Sequence, residues 1–230
     1  MRVSIIETFV SIQGEGPSVG QPATFLRLAG CNLACEWCDT PFSWDWSRYT
    51  NSAVEHVEAA ELAQRLLSLT PEKTSLLVVT GGEPMLQRQG LVETLSIVQS
   101  ARPEVRVEVE TNGTVLPGDA LSAMVALFVV SPKLANAGKR NLVSRDAVTQ
   151  FVPTPAVLKF VVRSATDVRE AAALAEQAGF SSDRVWIMPE GVTTADYARH
   201  GRAVADAAIS HGFRISPRLH ISIWDDERGR

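Results

Sequence analysis

The chain has 230 residues, 45% of them hydrophobic and 21% charged, which suits one globular domain and is short for two. The 22 Lys and Arg residues against 26 Asp and Glu residues give a formal net charge of −4. This charge argues against a protein whose main ligand is the phosphate backbone of a nucleic acid. The apolar runs are far shorter than the ~20 residues of a membrane span, and the N-terminus lacks the basic and apolar parts of a secretion signal. We therefore expect a single domain over 1–230, with neither nucleic acid nor a membrane as its partner.

Short β-branched runs alternate with longer amphipathic stretches along the chain, a pattern that predicts an α/β fold. The predicted strands are 3–6, 23–29, 76–79, 105–109, 127–130, 158–162 and 185–188. The predicted helices are 57–69, 86–100, 166–178 and 193–211. Candidate hydroxyl caps lie at the start of the last two helices. They are Ser164 or Thr166 for the first of these helices and Thr193 or Thr194 for the second. Helices after the strands imply right-handed crossovers and a parallel sheet, open or partly closed into a barrel.

Polar or glycine-rich segments follow four of the predicted strands. They are Thr80-Gly81-Gly82-Glu83-Pro84, Glu110-Thr111-Asn112-Gly113, Ser131-Pro132-Lys133 and Met188-Pro189-Glu190-Gly191. Any one of them is explained as an ordinary turn. Because the carboxyl ends of parallel strands share one edge of a sheet, the four together favour a ligand site at that edge.

All 3 cysteines lie close together in the sequence, at Cys31, Cys35 and Cys38. This clustering indicates thiolates kept for a metal in a reducing cytoplasm rather than a disulfide framework. A structural zinc site takes four protein ligands, and the nearest histidine is His56. A cubic iron–sulfur cluster takes one ligand per iron, so three thiolates leave one iron open for a small chelating ligand. We favour such a cluster over zinc and over buried, unligated cysteines.

The cysteine spacing Cys-x3-Cys-x2-Cys, with Trp37 before the last cysteine, resembles the signature of the radical S-adenosylmethionine (radical SAM) enzymes. Gly81-Gly82-Glu83-Pro84 is similar to the second motif of that superfamily. Further matches narrow the resemblance to the family of 7-carboxy-7-deazaguanine synthases over roughly residues 3–191. These matches are Ser11-Ile12-Gln13-Gly14-Glu15-Gly16, Arg27, Cys38-Asp39-Thr40, Thr80, Glu110-Thr111-Asn112-Gly113 and Ser131-Pro132-Lys133.

The resemblance implies an incomplete β/α barrel whose loop 31–50 binds a [4Fe-4S] cluster, with S-adenosylmethionine on the open iron and Mg²⁺ beside the substrate. The implied activity is that of a lyase in queuosine and 7-deazapurine biosynthesis, which converts 6-carboxy-5,6,7,8-tetrahydropterin to 7-carboxy-7-deazaguanine with loss of ammonia. A 5′-deoxyadenosyl radical takes a hydrogen from C6 of the pterin, so no side chain is assigned a catalytic role. A low-potential electron donor such as flavodoxin and a homodimer are also implied.

The resemblance further assigns residues to each ligand. The cluster takes Cys31, Cys35 and Cys38, and the magnesium takes Thr40. S-adenosylmethionine takes Trp37, Cys38, Asp39, Gly82, Glu83, Ser131, Pro132, Lys133, Met188, Pro189, Glu190 and Gly191. The pterin takes Ile12, Gln13, Gly14, Glu15, Arg27 and Thr80, with Arg27 on its carboxylate.

Ordinary structural roles remain open for several of these residues. The alternative for Arg27 is a solvent-facing position on a strand. The alternatives for Thr40 and Lys133 are the start of a turn before Pro41 and an ordinary surface lysine. Some members of the family end on a proline that contacts the substrate, and this chain has no such C-terminal proline. Arg218 or His220 is a candidate to replace that contact, but a surface or packing role is favoured for both.

Two other functions compete with the synthase. An activase of a glycyl-radical enzyme shares the cysteine spacing, but its substrate is a protein loop rather than a small carboxylated heterocycle. A non-catalytic iron–sulfur carrier or redox sensor needs neither an open iron nor four polar strand exits. Formation of 5′-deoxyadenosine separates the enzymes from the carrier.

Overall fold

The computed structural model describes residues 1–49, 54–138, 143–225 and 227–229. Thr50, at the end of the predicted cluster loop, lies outside them, as do Asp226 and Arg230 of the C-terminal segment. The strands are β1 (Arg2–Ile12), β2 (Pro22–Leu28), β3 (Glu55–Glu58), β4 (Leu76–Gly81), β5 (Arg106–Thr111), β6 (Leu127–Val130), β7 (Ala156–Val162), β8 (Val185–Pro189) and β9 (Arg214–Ile215). The helices are α1 (Ala59–Leu69), α2 (Arg88–Ala101), α3 (Gly118–Ser122), α4 (Arg145–Thr149), α5 (Ala165–Ala178), α6 (Thr194–Ser210) and α7 (Leu219–Trp224).

The strands form one open sheet in the order β3-β1-β2-β4-β5-β6-β7-β8-β9. Every neighbouring pair from β2 to β9 is parallel, with helices α1, α2, α5 and α6 in the crossovers. This confirms the prediction of a mostly parallel, incompletely closed β/α sheet. The prediction of a crossover helix after every strand is wrong for β1, which pairs antiparallel with both β2 and β3. Between β1 and β2 the chain has only a short loop with one 3-10 turn at Gly16–Ser18.

The predicted strands and long helices are all present, with shifted ends. β1 continues beyond the predicted 3–6 because its register with β2 extends to Ile12 opposite Pro22. The edge strands β3 and β9 were not predicted, because most of their residues are exposed and they carry no apolar run. Val57 and Glu58 belong to β3, so α1 begins at Ala59 rather than Val57.

Hydroxyl caps fix the starts of the two long helices that follow β7 and β8. The Ser164 hydroxyl accepts a hydrogen bond from the Asp167 amide, and the Asp167 carboxylate accepts one from the Ser164 amide, which forms a capping box at the start of α5. Thr193 caps α6 through the Asp196 amide. Both caps come from the predicted pairs of hydroxyl residues.

One large apolar cluster joins the helices to one face of the sheet and contains the fully buried rings of Phe128, Phe151 and Phe160. Burying each such ring stabilises the fold by roughly 1.5–3 kcal/mol. A smaller cluster, which includes the stacked rings of Phe9 and Phe25 at 4.8 Å, lies on β1, β2 and β4. None of the helices within the described ranges is both long and apolar enough to cross a bilayer.

Candidate functional site

A cavity of about 550 Å³ is lined by residues from several strands of the open sheet. Residues from the carboxyl ends of β4, β5, β6 and β8 line it, together with the cysteine loop after β2 and a C-terminal segment. Because β1 runs antiparallel to the other strands, its end brings residues 12–15 to the cavity from the opposite end of the sheet. We call residues 12–15 the floor segment.

The three cysteines are free thiols, partly exposed, on the loop after β2. N–H groups point at their sulfur atoms: the Leu33 amide lies 3.4 Å from Cys31 Sγ, and Trp44 Nε1 lies 3.3 Å from Cys38 Sγ. Burial raises the pKa of Cys31, and it raises that of Cys35 to about 11, so a metal must displace a proton from each. Three thiols on one loop, two of them with hydrogen-bond donors directed at sulfur, fit an iron–sulfur cluster.

The segment after β4 clasps the cysteine loop. A Cβ on Gly82 would lie 1.9 Å from the Gly30 carbonyl oxygen, and a Cβ on Gly81, which has φ +127°, would clash with the Leu28 backbone. The Glu83 amide donates to Gly30 O at 2.8 Å. The Glu83 carboxylate is fully buried and accepts from the Met85 amide, Thr111 Oγ1 and the Asn112 amide at 2.7–3.0 Å.

The predicted S-adenosylmethionine residues divide into three groups. Those that line the cavity are Trp37, Cys38, Asp39, Gly82, Ser131, Lys133 and Met188. Glu190 and Gly191 line a small recess beside it, together with Trp37 and Asp39. Glu83, Pro132 and Pro189 are not in the cavity wall, and Glu83 acts in the clasp instead. Lys133 Nζ lies 5.2 Å from the centre of the Trp37 ring and 3.0 Å from Ser131 Oγ.

The predicted substrate residues Ile12, Gln13, Gly14, Glu15, Arg27 and Thr80 all line the cavity. Arg27 has a side chain only 17% exposed, and its Nε donates to Glu7 Oε1 at 2.8 Å. Its guanidinium lies 5.8 Å from the ring of Phe9 and 5.9 Å from that of Phe42. Arg27 is therefore a cavity residue rather than a solvent-facing one.

The metal ligands predicted from the resemblance lie beside this site. The cavity is lined by Cys35, Cys38 and Thr40. Cys31 is not one of its lining residues, and its Sγ lies 3.9 Å from Asn112 Nδ2. Thr40 Oγ1 lies 3.8 Å from Cys38 Sγ. Thr40 also begins a 3-10 turn at Pro41–Ser43, so the turn that the sequence suggested is present as well.

A buried chain of charges crosses the cavity between the floor segment and the strands. Lys159 Nζ contacts Glu15 Oε2 and lies 3.5 Å from Glu110 Oε1, while Thr80 Oγ1 donates to Glu110 Oε2 at 2.8 Å. Burial disfavours both charged groups of the Lys159–Glu15 pair, but their opposite partners outweigh it. The pKa of Glu15 is therefore lowered and that of Lys159 raised.

Sequence reasoning missed Lys159 as a site residue and favoured a surface or packing role for Arg218 and His220. Lys159 was detectable as the one charged residue within the apolar strand AVLKFVV, since a buried strand rarely holds an unpaired lysine. Arg218 and His220, interpreted as surface or packing residues, line the cavity, and the Arg218 side chain is only 7% exposed. The surface role is wrong for Arg218 because the C-terminal segment folds back over the floor segment, where Leu219 N donates to Gly14 O.

The Radical SAM superfamily profile matches residues 26–197 of the chain. The crystal structure of QueE from Escherichia coli superposes with a TM-score of 0.73 and 23% identity, covering 96% of this chain and 95% of that one, which supports the fold. Together with the three-thiol loop, these features define a radical SAM enzyme.

Two curated relatives narrow the class. The 7-carboxy-7-deazaguanine synthase of Pyrobaculum aerophilum is 40% identical over 100% of this chain and 98% of its own length. The synthase of the same name from Hyperthermus butylicus is 35% identical over 95% of this chain and 92% of its own. The chain belongs to the family of 7-carboxy-7-deazaguanine synthases.

Proposed function

We propose that the chain converts 6-carboxy-5,6,7,8-tetrahydropterin to 7-carboxy-7-deazaguanine with loss of ammonia, as a step of 7-deazapurine and queuosine biosynthesis. The observation that carries this proposal is a single cavity that joins the three-thiol loop to a half-buried arginine. The thiol loop suits a radical-generating cofactor, and the arginine suits a small carboxylated substrate. Family membership supports the same reaction.

Cys31, Cys35 and Cys38 would hold a [4Fe-4S] cluster, and the cavity wall around Trp37, Ser131 and Lys133 would hold S-adenosylmethionine. When bound, these groups supply a one-electron cleavage that produces a radical able to take a hydrogen atom from the substrate. The protein binds, orients and shields the cofactor and the substrate. The clasp between Gly82 and Gly30 keeps the cysteine loop against the strand exits, which fixes where the radical forms.

Arg27 binds the substrate carboxylate in this proposal. Its Nε is held by Glu7, and within the described residues its two Nη groups have no hydrogen-bond partner. They form the planar fork that a carboxylate accepts. Glu110 and Thr80 face the same cavity and offer acceptors and a hydroxyl to the N–H-rich edge of a pterin.

Thr40 is the proposed protein ligand of the magnesium. Its hydroxyl lines the cavity beside Cys38, and Mg²⁺ commonly takes one or two protein oxygens together with substrate oxygens and waters. Chelation of Mg²⁺ should lower turnover. Thr40→Val should lose the magnesium response with its cluster content intact, whereas Thr40→Ser should retain much of it. A Val variant that responds to Mg²⁺ like the wild type contradicts this assignment.

A low-potential electron donor such as flavodoxin, a homodimeric assembly and a cytoplasmic location are further parts of the proposal. The three unpaired thiols support a reducing compartment. Reduction by flavodoxin in place of dithionite, and the mass of the particle in light scattering, test the first two.

Anaerobic reconstitution tests the reaction. We expect about four irons per chain, one for each corner of a cubic cluster. We also expect an S-adenosylmethionine-dependent change in the EPR signal, 5′-deoxyadenosine, and 7-carboxy-7-deazaguanine from the pterin. Each Cys→Ala variant should abolish both products. Stoichiometric zinc without iron uptake contradicts the cluster, and 5′-deoxyadenosine without conversion of the pterin contradicts the substrate.

A further inference from the structure

Arg218 joins three separate parts of the cavity wall. Its Nε donates to Glu15 Oε1 at 3.0 Å, its Nη1 to the Gly191 carbonyl at 2.6 Å, and its Nη2 to Asp39 Oδ2. Glu15 belongs to the floor segment, Asp39 follows the last cysteine of the thiol loop, and Gly191 follows β8. The guanidinium thus uses each of its three nitrogen atoms on a different segment.

The backbone around Arg218 bonds to the floor segment, to Gly16 beside it and to β8, where Ser216 N donates to Ile187 O at 2.8 Å. Leu219 N donates to Gly14 O at 2.9 Å, and Gly16 N donates to Ser216 Oγ at 2.8 Å. The base of the side chain is therefore anchored to the floor segment, where the proposed substrate residues lie. The two Nη groups extend from this anchor to the wall where the proposed S-adenosylmethionine residues lie.

Loss of the guanidinium has unequal consequences for its partners. Glu15 keeps a second cation, because Lys159 Nζ contacts its other oxygen. Asp39, 40% exposed, has Arg218 as its cation, and the Gly191 carbonyl loses a charged donor. The floor segment therefore keeps an ion pair, while the thiol loop loses its ion pair with Arg218 and the 190–192 segment loses its side-chain connection to the floor segment.

We propose that Arg218 is a positioning residue that holds the cofactor wall in register with the substrate floor, an inference that rests on the proposed function. Hydrogen transfer requires the reacting atoms within roughly 3–3.5 Å, and a displacement of about 1 Å costs up to a hundredfold in rate. Without the three-way contact, cofactor cleavage continues but product formation falls. Arg218 acts through Glu15, Asp39 and Gly191.

Arg218→Lys and Arg218→Met test the proposal against Arg184→Lys and Arg184→Met. Arg184 is a matched control, since its guanidinium also spans three partners, the carbonyls of Ala156, Val152 and Thr154, at the amino-terminal end of β8. Product and 5′-deoxyadenosine are measured in the reconstituted full chain. Amide hydrogen exchange is followed in the same protein at Cys38 and Glu190, whose amides bond to Cys35 O and Val162 O.

The Arg218 variants should lower the ratio of product to 5′-deoxyadenosine about tenfold, the size expected for a lost charged hydrogen bond. Exchange should quicken at Cys38 and Glu190. The Arg184 variants should change neither measure, and millimolar guanidinium should restore part of the ratio in Arg218→Met. Equal ratios and equal exchange in Arg218→Lys and wild type overturn the proposal, as does a failure of both Arg218 variants to fold.

The exchange measurement separates this inference from the reaction itself. If the wild type makes 5′-deoxyadenosine but does not convert the pterin, the proposed substrate is wrong. Exchange at Cys38 and Glu190 in Arg218→Lys against Arg184→Lys still decides whether Arg218 connects the floor segment to the cofactor wall.

Discussion

Arg27 is held on one side by Glu7 and flanked by two aromatic rings, which leaves its Nη fork to face the cavity. Arg27→Lys keeps the charge and loses the fork, so substrate binding should weaken by about 1–3 kcal/mol. Cofactor cleavage without substrate should persist, because the thiol loop is untouched. Titration of the pterin, with 5′-deoxyadenosine assayed in parallel, measures both effects.

The control for Arg27→Lys is Arg2→Lys. Arg2 also donates from Nε to a glutamate, Glu58, but its side chain is 74% exposed and remote from the cavity. Unchanged pterin affinity in Arg27→Lys would remove Arg27 from the substrate site. Weakened affinity in Arg2→Lys would show that the effect is not local.

Lys159, with a side chain only 5% exposed, compensates the charges of two carboxylates in the cavity wall. Lys159→Met removes this positive charge from beside Glu15 and Glu110. Removing one partner of a buried ion pair lowers the free energy of unfolding by about 3–5 kcal/mol. Urea denaturation at neutral pH should show a loss of this size. Lys73→Met, at an exposed lysine, should leave the free energy of unfolding nearly unchanged.

The stability difference between wild type and Lys159→Met should depend on pH. The pKa of Glu15 lies below its ordinary 4.5, so its contribution is present above pH 4.5 and is lost as the pH falls through the lowered pKa. The pKa of Lys159 lies above its ordinary 10.5, so its contribution is present below pH 10.5 and is lost above the raised pKa. The difference should be largest between these limits and narrow in acid. A difference that is constant down to pH 3 would contradict the ion pair.

At the scale of elements, the junction between β4 and the cysteine loop depends on an absent side chain. Gly82→Ala places a Cβ 1.9 Å from the Gly30 carbonyl oxygen, so the loop must shift. We expect iron incorporation to fall and the thermal midpoint to drop. Gly201→Ala in α6, where the nearest neighbour is Pro189 Cγ at 3.7 Å, should keep full iron content and gain up to about 1 kcal/mol. Equal iron content in the two variants would show that the close approach is not needed.

Element types follow from local patterns, but strand direction does not. The apolar runs of β4 to β8 predicted strands, and the intervening periodic stretches predicted the long helices. The antiparallel direction of β1 and the edge strand β3 escaped prediction, because both come from pairing with neighbouring strands rather than from local composition. This reversal of β1 is what brings the floor segment into the cavity.

At the scale of the whole molecule, the main apolar cluster contains residues from β1 at one side of the sheet to β8 at the other. We propose that residues 1–230 form a single domain that unfolds as one unit, since the strands share this core. In urea, far-UV circular dichroism should give one transition. Hydrogen exchange in β2 and in β8 should report the same free energy of opening. Two separate transitions would show that the chain does not unfold as one unit.

The sequence alone determined the cofactor chemistry of this protein. Cys31, Cys35 and Cys38 lie within one short loop, and Gly81-Gly82-Glu83-Pro84 follows a strand, so the motifs that resemble the radical SAM superfamily are visible in spacing along the chain. The alternation of strands and helices determined the fold class in the same way, because periodicity is also a local property.

Only the tertiary structure decided which charges meet at the site. Lys159 pairs with Glu15 across 144 residues of sequence, and Arg218 pairs with Glu15 across 203. Such pairs leave no spacing signal, because their partners are brought together by sheet register and by the return of the C-terminal segment. The burial that gives each pair its energy exists only after the core has formed, so the chain of charges beneath the cavity is a property of the fold rather than of any motif.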